Sequence, residues 1–158
     1  MRVVFSCILF IVINIKPDED MKMFIRVVEN LSTSDTVVMK KLIEEVSVSK
    51  TNLAQGCQGA LLMKKADLVK RPAEKLNLFK EGKKLLEKEI RKDSSNVNFR
   101  ILRLIIQENS PAFLKYKSNL NEDAVIVQKS FNKLSYQLRN LMIEYSKNSK
   151  YLNLKDRE

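Results

Sequence analysis

The segment that is most informative about the architecture of this chain is FRILRLIIQENSPAFLKY, residues 99–116. On a helical wheel, the apolar side chains of residues 97–109 cover well over half of the circumference. A helix that is apolar so far round packs on several neighbours, so we predict that 97–109 is the central helix of the domain. It should end before Pro111, because proline disfavours the helical conformation at the preceding residue. The side chains predicted to fold back over its apolar face and complete the core are Phe113, Leu114 and Tyr116.

A narrow polar stripe runs along this otherwise apolar helix. Measured from Arg100, Arg103 and Gln107 lie within about 60° on one side of the wheel, and Glu108 lies about 80° to the other. An unpartnered buried charge costs several kcal/mol, so both arginines need carboxylates or backbone carbonyls. The expected partners are Glu108, Asp123, Glu122, Glu81 or the carboxyl end of a neighbouring helix.

Two interpretations of this polar stripe are open. In the first, it is a structural network that fixes the QENSPAFLKY turn against the helix. In the second, it binds an anion or a carboxylate, with Arg100 and Arg103 as a fork and Gln107 and Tyr116 as further donors. The residues of this candidate polar groove or anion site are Arg100, Arg103, Gln107, Glu108, Tyr116 and Asp123.

The rest of the chain also predicts helices. Apolar residues recur every three or four positions, and Gly and Pro number only three each, which favours long helices over strands. The predicted helices span 20–31, 36–49, 51–69, 73–93 and 97–109, and a last helical region either breaks near Ser135 or continues unbroken. Expected amino-terminal caps are Ser34 or Asp35, Thr51 or Asn52, the SSN at 94–96, and Asn121 or Asp123. The prediction is an all-α fold with six or seven helices, stacked as antiparallel pairs in a tetratricopeptide-like α-hairpin array.

Residues 1–19 form a separate apolar segment ahead of this single domain, which is predicted to cover 20–158. Arg2 is followed by a mostly apolar run that ends at Ile15. A short cationic start and an apolar stretch of about a dozen residues are typical of a secretory signal. No small-x-small cleavage motif is visible near residues 14–20. We therefore expect export to the periplasm or the medium, with an uncleaved anchor or a buried part of the domain as alternatives.

The composition argues against several kinds of chemistry. Histidine is absent, which removes Ser-His and Cys-His nucleophilic pairs and histidine-ligated zinc. Cys7 and Cys57 are the only cysteines, and Cys57 is expected to be a small buried residue. No catalytic residue, metal site or cofactor is predicted, and we expect that the protein is not an enzyme.

Small residues cluster in the predicted helix 51–69. Two glycines inside a helix cost on the order of 1 kcal/mol each relative to alanine, and the close approach of another helix usually offsets that cost. A phosphate-binding loop would need a preceding strand and a Lys-Ser/Thr pair, which this segment lacks. The residues predicted to mark a tight helix–helix contact are Ala54, Gly56, Cys57, Gly59 and Ala60.

The net charge of +10 raises the question of an anionic partner. Residues 64–92 hold eleven Lys or Arg against five Asp or Glu, so this segment carries six of the ten excess charges. A solvated outer face explains this pattern as well as a binding surface does. The candidate basic face consists of Lys75, Lys80, Lys83, Lys84, Lys88 and Arg91. Nucleic acid is not expected, because arginines are few and aromatic residues do not alternate with the cations.

Two resemblances bear on the fold. Residues 53–96 are similar to a degenerate tetratricopeptide unit, in which Gly82 and Leu86 match the second-helix pattern and Glu89 and Ser94 depart from it. Separately, FKEGKKLLEKEI and NVNFRILRLIIQENSPAFLKY resemble a group of small exported, uncharacterised proteins of Bacteroidetes and flavobacteria. The positions that match that group are Phe79, Gly82, Asn96, Arg100, Arg103, Gln107, Glu108, Asn109, Pro111, Phe113, Leu114, Tyr116 and Asp123. This second resemblance implies an all-α domain behind a signal peptide and brings no established activity.

The expected function is that of a non-catalytic interaction module. A small α-hairpin stack presents a concave or grooved surface, which suits a protein or peptide partner. The alternative is a binder of an anionic ligand or polyanion, through the basic 64–92 face or the Arg100/Arg103 groove. Membrane contact is expected only through residues 1–15, if they are not cleaved.

Overall fold

The computed structural model of this protein describes residues 17–154, which form seven α-helices and two short 3-10 turns and include no β-strand. The helices are α1 (Pro17–Asn30), α2 (Thr36–Val48), α3 (Asn52–Leu68), α4 (Pro72–Lys92), α5 (Val97–Asn109), α6 (Leu120–Ser130) and α7 (Tyr136–Ser146). The predicted all-α class with six or seven helices is therefore confirmed. Within this part of the chain, no helix is both long and apolar enough to cross a membrane.

Helix ends follow local capping chemistry in most places. Asp35 accepts hydrogen bonds from the amides of Val37 and Val38 at the start of α2. Thr51, Asn96 and Ser135 cap α3, α5 and α7 in the same way. The break predicted near Ser135 is confirmed.

Two predicted helix starts are wrong. The first helix begins at Pro17, three residues before the predicted start at Asp20, with acidic residues throughout its first turn. Negative charge there is favourable because the amino-terminal end of a helix carries a partial positive charge. The sixth helix begins after Asn119 rather than at Asn121 or Asp123, and Asp123 is buried inside it.

The helices form two layers. Each helix from α1 to α5 packs on the next one, and α1 also packs on α3 and α3 on α5. The odd-numbered helices α1, α3 and α5 thus lie side by side, while α2, α4 and α6 pack on them from the outside. This is the alternation of a helical hairpin array. The last helix, α7, returns to pack against α1.

The closest helix pair is α3 with α4, and glycines make it possible. A Cβ atom on Gly59 would lie 2.7 Å from the carbonyl oxygen of Gly82 and 2.7 Å from the amide nitrogen of Leu86. A Cβ atom on Gly82 would in turn meet the carbonyl oxygen of Gly59 and lie 2.8 Å from the amide nitrogen of Met63. The tight contact predicted from the small residues of α3 is confirmed, and its partner is the glycine of α4.

The core places α5 at the centre, as predicted. Every residue from Phe99 to Gln107 is buried, including both arginines. Cys57 is fully buried as a free thiol, and burial raises its pKa far above the ordinary value, so the sulfur stays protonated.

The prediction for the segment after α5 holds only in part. Tyr116 is buried and Leu114 packs on the core from a half-buried position. Phe113, which was expected to join them, is 79% exposed. Phe113 lies in the 3-10 turn Ala112–Leu114, which ends at Lys115 in the left-handed region (φ 48°). The apolar pattern gave no indication of this turn.

Candidate functional site

The polar stripe of α5 meets a single aspartate on α6. Asp123 is completely buried and accepts two hydrogen bonds from Arg103, at 2.6 Å from Nε and 2.8 Å from Nη2. The oxygen that bonds Nη2 also accepts a bond of 3.0 Å from Nη1 of Arg100. One carboxylate therefore joins both guanidinium groups and locks α6 onto α5.

The remaining donors of the two arginines are also used. In Arg100, Nε and Nη2 bond to the carbonyl oxygen of Ser94 at 3.0 and 2.7 Å, and Nη1 bonds to Glu122 at 3.0 Å. In Arg103, Nη1 bonds to Glu87 at 3.1 Å. All six guanidinium nitrogens thus bond to oxygens of the chain itself. Asp123, Glu122 and the carboxyl end of a neighbouring helix were expected as partners, and the Ser94 carbonyl lies just beyond the end of α4. Glu87 was missed, and Glu81 is exposed.

Tyr116 extends this network towards α4. Its hydroxyl donates to Glu87 at 2.6 Å, and its ring stands edge-on to Phe79 with 5.7 Å between the ring centroids. The ammonium group of Lys83 lies 4.8 Å from the centroid of the Tyr116 ring. Burial, together with the charge of Glu87, raises the pKa of Tyr116 far above its ordinary value, so the phenol remains a donor.

Protonation states in the network favour ion pairing. Burial alone would lower the pKa of Arg103, but the hydrogen bond and charge of Asp123 outweigh it and raise that pKa. The hydrogen bond from Asn119, together with the charges of Arg100 and Arg103, lowers the pKa of Glu122 and outweighs the opposing effect of burial. The two guanidinium groups face three carboxylates, and Lys83 supplies a third cation at the edge. Charge is thus balanced inside the protein.

Gln107 and Asn119 tie the 110–119 connection to α5. The side-chain amide of Gln107 donates to Asn119 at 3.4 Å, and its oxygen accepts the backbone amide of Asn119 at 3.2 Å. In the part of the chain that the structure describes, no buried side-chain nitrogen or oxygen lacks a hydrogen-bond partner. The arrangement matches the first interpretation of the stripe, a structural network, because every guanidinium nitrogen already has a partner within the chain.

Glu108 does not belong to this network, so its predicted pairing with the arginines is wrong. It points to the other side of α5 and accepts bonds from the hydroxyls of Tyr145 and Ser149 and from the amide of Lys150. Burial, followed by the bond to Glu108, raises the pKa of Tyr145. Glu108 therefore anchors α7 and the segment after it. Leu152 and Leu154 of that segment are buried.

An open groove of about 730 Å³ lies between the carboxyl ends of α1 and α5 and the last helix, α7. Its buried lining is apolar and includes Leu31, Ile105 and Met142. Exposed charged residues surround this lining: Glu29, Lys117, Glu144 and Lys150. An apolar floor with polar groups around it is the usual composition of a binding site.

The candidate basic face is largely where it was predicted. Lys75, Lys80, Lys84, Lys88 and Arg91 are exposed along α4. Lys83 departs from the prediction, because it is half-buried against Tyr116 on the flank of the helix.

Neither metal chemistry nor similarity to known proteins assigns a role to these sites. Among residues 17–154, no three Cys, Asp or Glu side chains are grouped so that they could hold a metal ion. No protein-family model, curated protein or solved structure matches this chain. The resemblance to exported proteins of Bacteroidetes stays a prediction. Function has to be argued from the surfaces described above.

Proposed function

We propose that this protein is a non-catalytic interaction module that binds a segment of a protein or peptide partner in the groove between α1, α5 and α7. The observation that carries the proposal is the composition of this groove. Apolar contact area comes from half-buried Leu141 and Tyr145 and from exposed Tyr151, and exposed charges of both signs lie around it. Such a site takes up apolar side chains of a partner and orients its polar groups.

The chemistry of the groove supports binding rather than catalysis. Its central carboxylate, Glu108, has its oxygens engaged by Tyr145, Ser149 and the amide of Lys150. A general base needs an oxygen free to reach the substrate proton, and here the oxygens hold the chain's own segment. The alternation of inner and outer helices also supports a tetratricopeptide-like architecture, whose members are built around such surfaces.

The test places a bulky side chain in the groove without replacing a core residue. Ser32 is exposed and lines the groove, whereas Ser34 is exposed two residues further along and does not. Immobilised wild type, Ser32→Trp and Ser34→Trp are used to capture proteins from the source cells, followed by mass spectrometry. We expect a specific protein on wild type and Ser34→Trp that is lost on Ser32→Trp. Equal capture by both variants would remove the groove as the binding site.

We also propose that residues 1–19 direct export, as the apolar run behind Arg2 suggests. Mass spectrometry of the mature amino terminus combined with cell fractionation tests this. Export predicts a shortened chain outside the cytoplasm, and an intact amino terminus in the cytoplasmic fraction contradicts it.

A second candidate function is the binding of an anionic partner. The Arg100/Arg103 groove offers little support, because the chain's own carboxylates occupy both guanidinium groups. The basic face of α4 offers more, since its exposed cations make no ion pair with any residue in the described range.

A further inference from the structure

The outer face of α4 carries a stripe of cations, Lys80, Lys84, Lys88 and Arg91, which we call the α4 stripe. Lys80, Lys84 and Lys88 follow one another at intervals of four residues, so each is a neighbour of the next on the helix surface. All four side chains are exposed. Like charges at this spacing weaken a helix, so the stripe opposes folding slightly unless something outside the chain compensates it.

Three lysines elsewhere in the described chain have an acid close by in sequence. Lys22 pairs with Asp18, Lys40 with Glu44, and Lys147 with Glu144, all within one turn. On the α4 stripe, no member has an ion-pair partner among residues 17–154. Of the acids nearest in sequence, Glu87 bonds to Arg103 and Tyr116, and Glu89 is buried against Lys92. Glu81 is exposed next to Lys80 and makes no ion pair with the stripe in the described part of the chain.

An exposed aromatic residue belongs to the loop that packs on the flank of α4. Phe113 belongs to the 111–117 loop, which Tyr116 fastens to the flank of α4 through Glu87 and Phe79. Phe113 is three residues from Tyr116, so their Cα atoms are at most about 11 Å apart. Lys83, which precedes Lys84 of the stripe, packs on the Tyr116 ring.

The loop holds the Phe113 ring in solvent. Tyr116 is buried, and Lys115 adopts the left-handed conformation (φ 48°), which non-glycine residues seldom adopt. Exposed Lys115 and Lys117 flank the ring on the carboxyl side. An exposed apolar ring next to several cations is typical of protein surfaces that bind at the interface of an anionic membrane.

We infer that the α4 stripe and Phe113 together bind an anionic phospholipid bilayer. The ammonium groups lie against lipid headgroups, and the Phe113 ring enters the boundary between headgroups and acyl chains. This surface is distinct from the groove of the proposed function, and the inference does not depend on that groove.

Charge and shape favour a bilayer over other anions. The stripe lies on the outer face of an outer-layer helix rather than in a cleft, which suits a broad charged surface. Lysine acts as a point charge without the planar fork that arginine uses for specific carboxylate or phosphate contacts. Nucleic acid binding would use aromatic side chains spaced along the basic surface for stacking, and α4 exposes none.

The test measures co-sedimentation of the full chain with vesicles of phosphatidylcholine, with and without phosphatidylserine. Binding to the neutral vesicles reports any contribution of residues 1–19, and the additional binding on phosphatidylserine reports the stripe. Each lysine near an anionic surface contributes about a fivefold increase in binding. We expect the triple variant Lys80→Gln, Lys84→Gln, Lys88→Gln to weaken the phosphatidylserine-dependent binding on the order of a hundredfold.

A charge-matched control separates the stripe from net charge. The triple variant Lys41→Gln, Lys129→Gln, Lys133→Gln removes three exposed lysines from other elements. It should bind phosphatidylserine vesicles like wild type, and so should the groove variant Ser32→Trp. An equal loss in both triple variants would mean that net charge alone drives binding and would overturn the inference, as would the absence of any phosphatidylserine dependence.

The role of Phe113 has its own control. Phe113→Ala should weaken phosphatidylserine binding several-fold and leave its salt dependence unchanged, because the ring contributes no charge. Tyr136→Ala, at an aromatic residue that is 73% exposed on α7, should have no effect. Wild-type binding by Phe113→Ala would overturn the role of the loop. Binding to soluble poly-glutamate as strong as binding to the vesicles would overturn the assignment to lipid in favour of an acidic protein.

Discussion

Asp123 on α6 accepts hydrogen bonds from Nε and Nη2 of Arg103 on α5, at 2.6 and 2.8 Å, with no solvent access to the carboxylate. The pair clamps two helices that are also joined by apolar packing and by the bond from Arg100 to Glu122. Because a third bond links the buried carboxylate to Arg100, Asp123 contributes more polar bonds to the α5–α6 contact than any other acid.

Replacing Asp123 with alanine should therefore be severely destabilising. Both guanidinium groups would stay buried without their shared partner, and breaking a buried ion pair from one side costs about 3–5 kcal/mol. The free energy of unfolding from urea titration measures the effect. Glu122→Gln is the matched control, because Glu122 is half exposed and its ion pairs should contribute less than about 1 kcal/mol. Similar losses in both variants would contradict the network described here.

The loss of stability on replacing a glycine of α3 or α4 with alanine should depend on which atoms the new methyl group contacts. Gly59→Ala and Gly82→Ala place it against backbone atoms that cannot move alone, so we expect destabilisation at the upper end of about 1–3 kcal/mol. Gly56→Ala meets only the ring of Phe99 at 2.7 Å, and a side chain can shift. Thermal unfolding should rank Gly56→Ala as the mildest of the three. A larger loss at Gly56 would show that α3 and α5 are packed more rigidly than α3 and α4.

Alkaline pH should unfold the protein in part through Tyr116. Its pKa is raised in the folded state, so above the ordinary value of about 10 the unfolded chain releases a proton that the folded chain keeps. Its contribution to stability is complete below that pH and is lost as pH rises towards the folded pKa, with a slope of up to about 1.4 kcal/mol per pH unit. Urea denaturation at a series of pH values above 10 measures this slope.

Tyr116→Phe should flatten that dependence even though it lowers stability at neutral pH. Tyr136→Phe, at an exposed position, should leave the slope unchanged. If Tyr116→Phe keeps the wild-type slope, the alkaline transition belongs to other groups, among which Tyr145 is the next to examine because its pKa is also raised.

Glu108→Ala should release the carboxyl-terminal segment without unfolding the array. The carboxylate holds Ser149 at 2.7 Å and the amide of Lys150 at 2.7 Å, and Leu152 follows as a buried anchor. Hydrogen exchange should speed up in residues 149–154 and stay slow in α5 and α6. Glu144→Ala removes only a surface pair with Lys147 and should change neither. Unchanged exchange at 149–154 in Glu108→Ala would mean that apolar burial alone holds the segment.

Much of the helical architecture could be predicted from residue spacing. The all-round apolar surface of 97–109 correctly predicted a central helix, and the small residues around Gly59 correctly predicted a close helix contact. The caps Asp35, Thr51 and Asn96 were each among the predicted candidates, because the effect of a cap is local. These features depend on residues within one or two helical turns, and such interactions can be evaluated without knowing the rest of the fold.

Contacts between residues that are far apart in sequence were harder to predict. The need of Arg100 and Arg103 for carboxylates was evident, but Glu87 was missed, although it lies at the edge of the apolar face of α4 one turn after Lys83. Glu108 was assigned to the wrong network, and Phe113 was expected to be buried. Each error concerns which side of a helix or loop meets a distant segment.

The periodicity of the amino-acid sequence therefore specified the helices, their buried faces and the requirement that two buried cations be neutralised. The assembled molecule alone settled that Asp123 meets both arginines, that Gly82 faces Gly59, and that Phe113 lies in solvent. The physical reason is that helix formation and burial depend on neighbours in sequence. The choice among several available carboxylates or glycines depends instead on packing distances of a few ångströms between helices far apart along the chain.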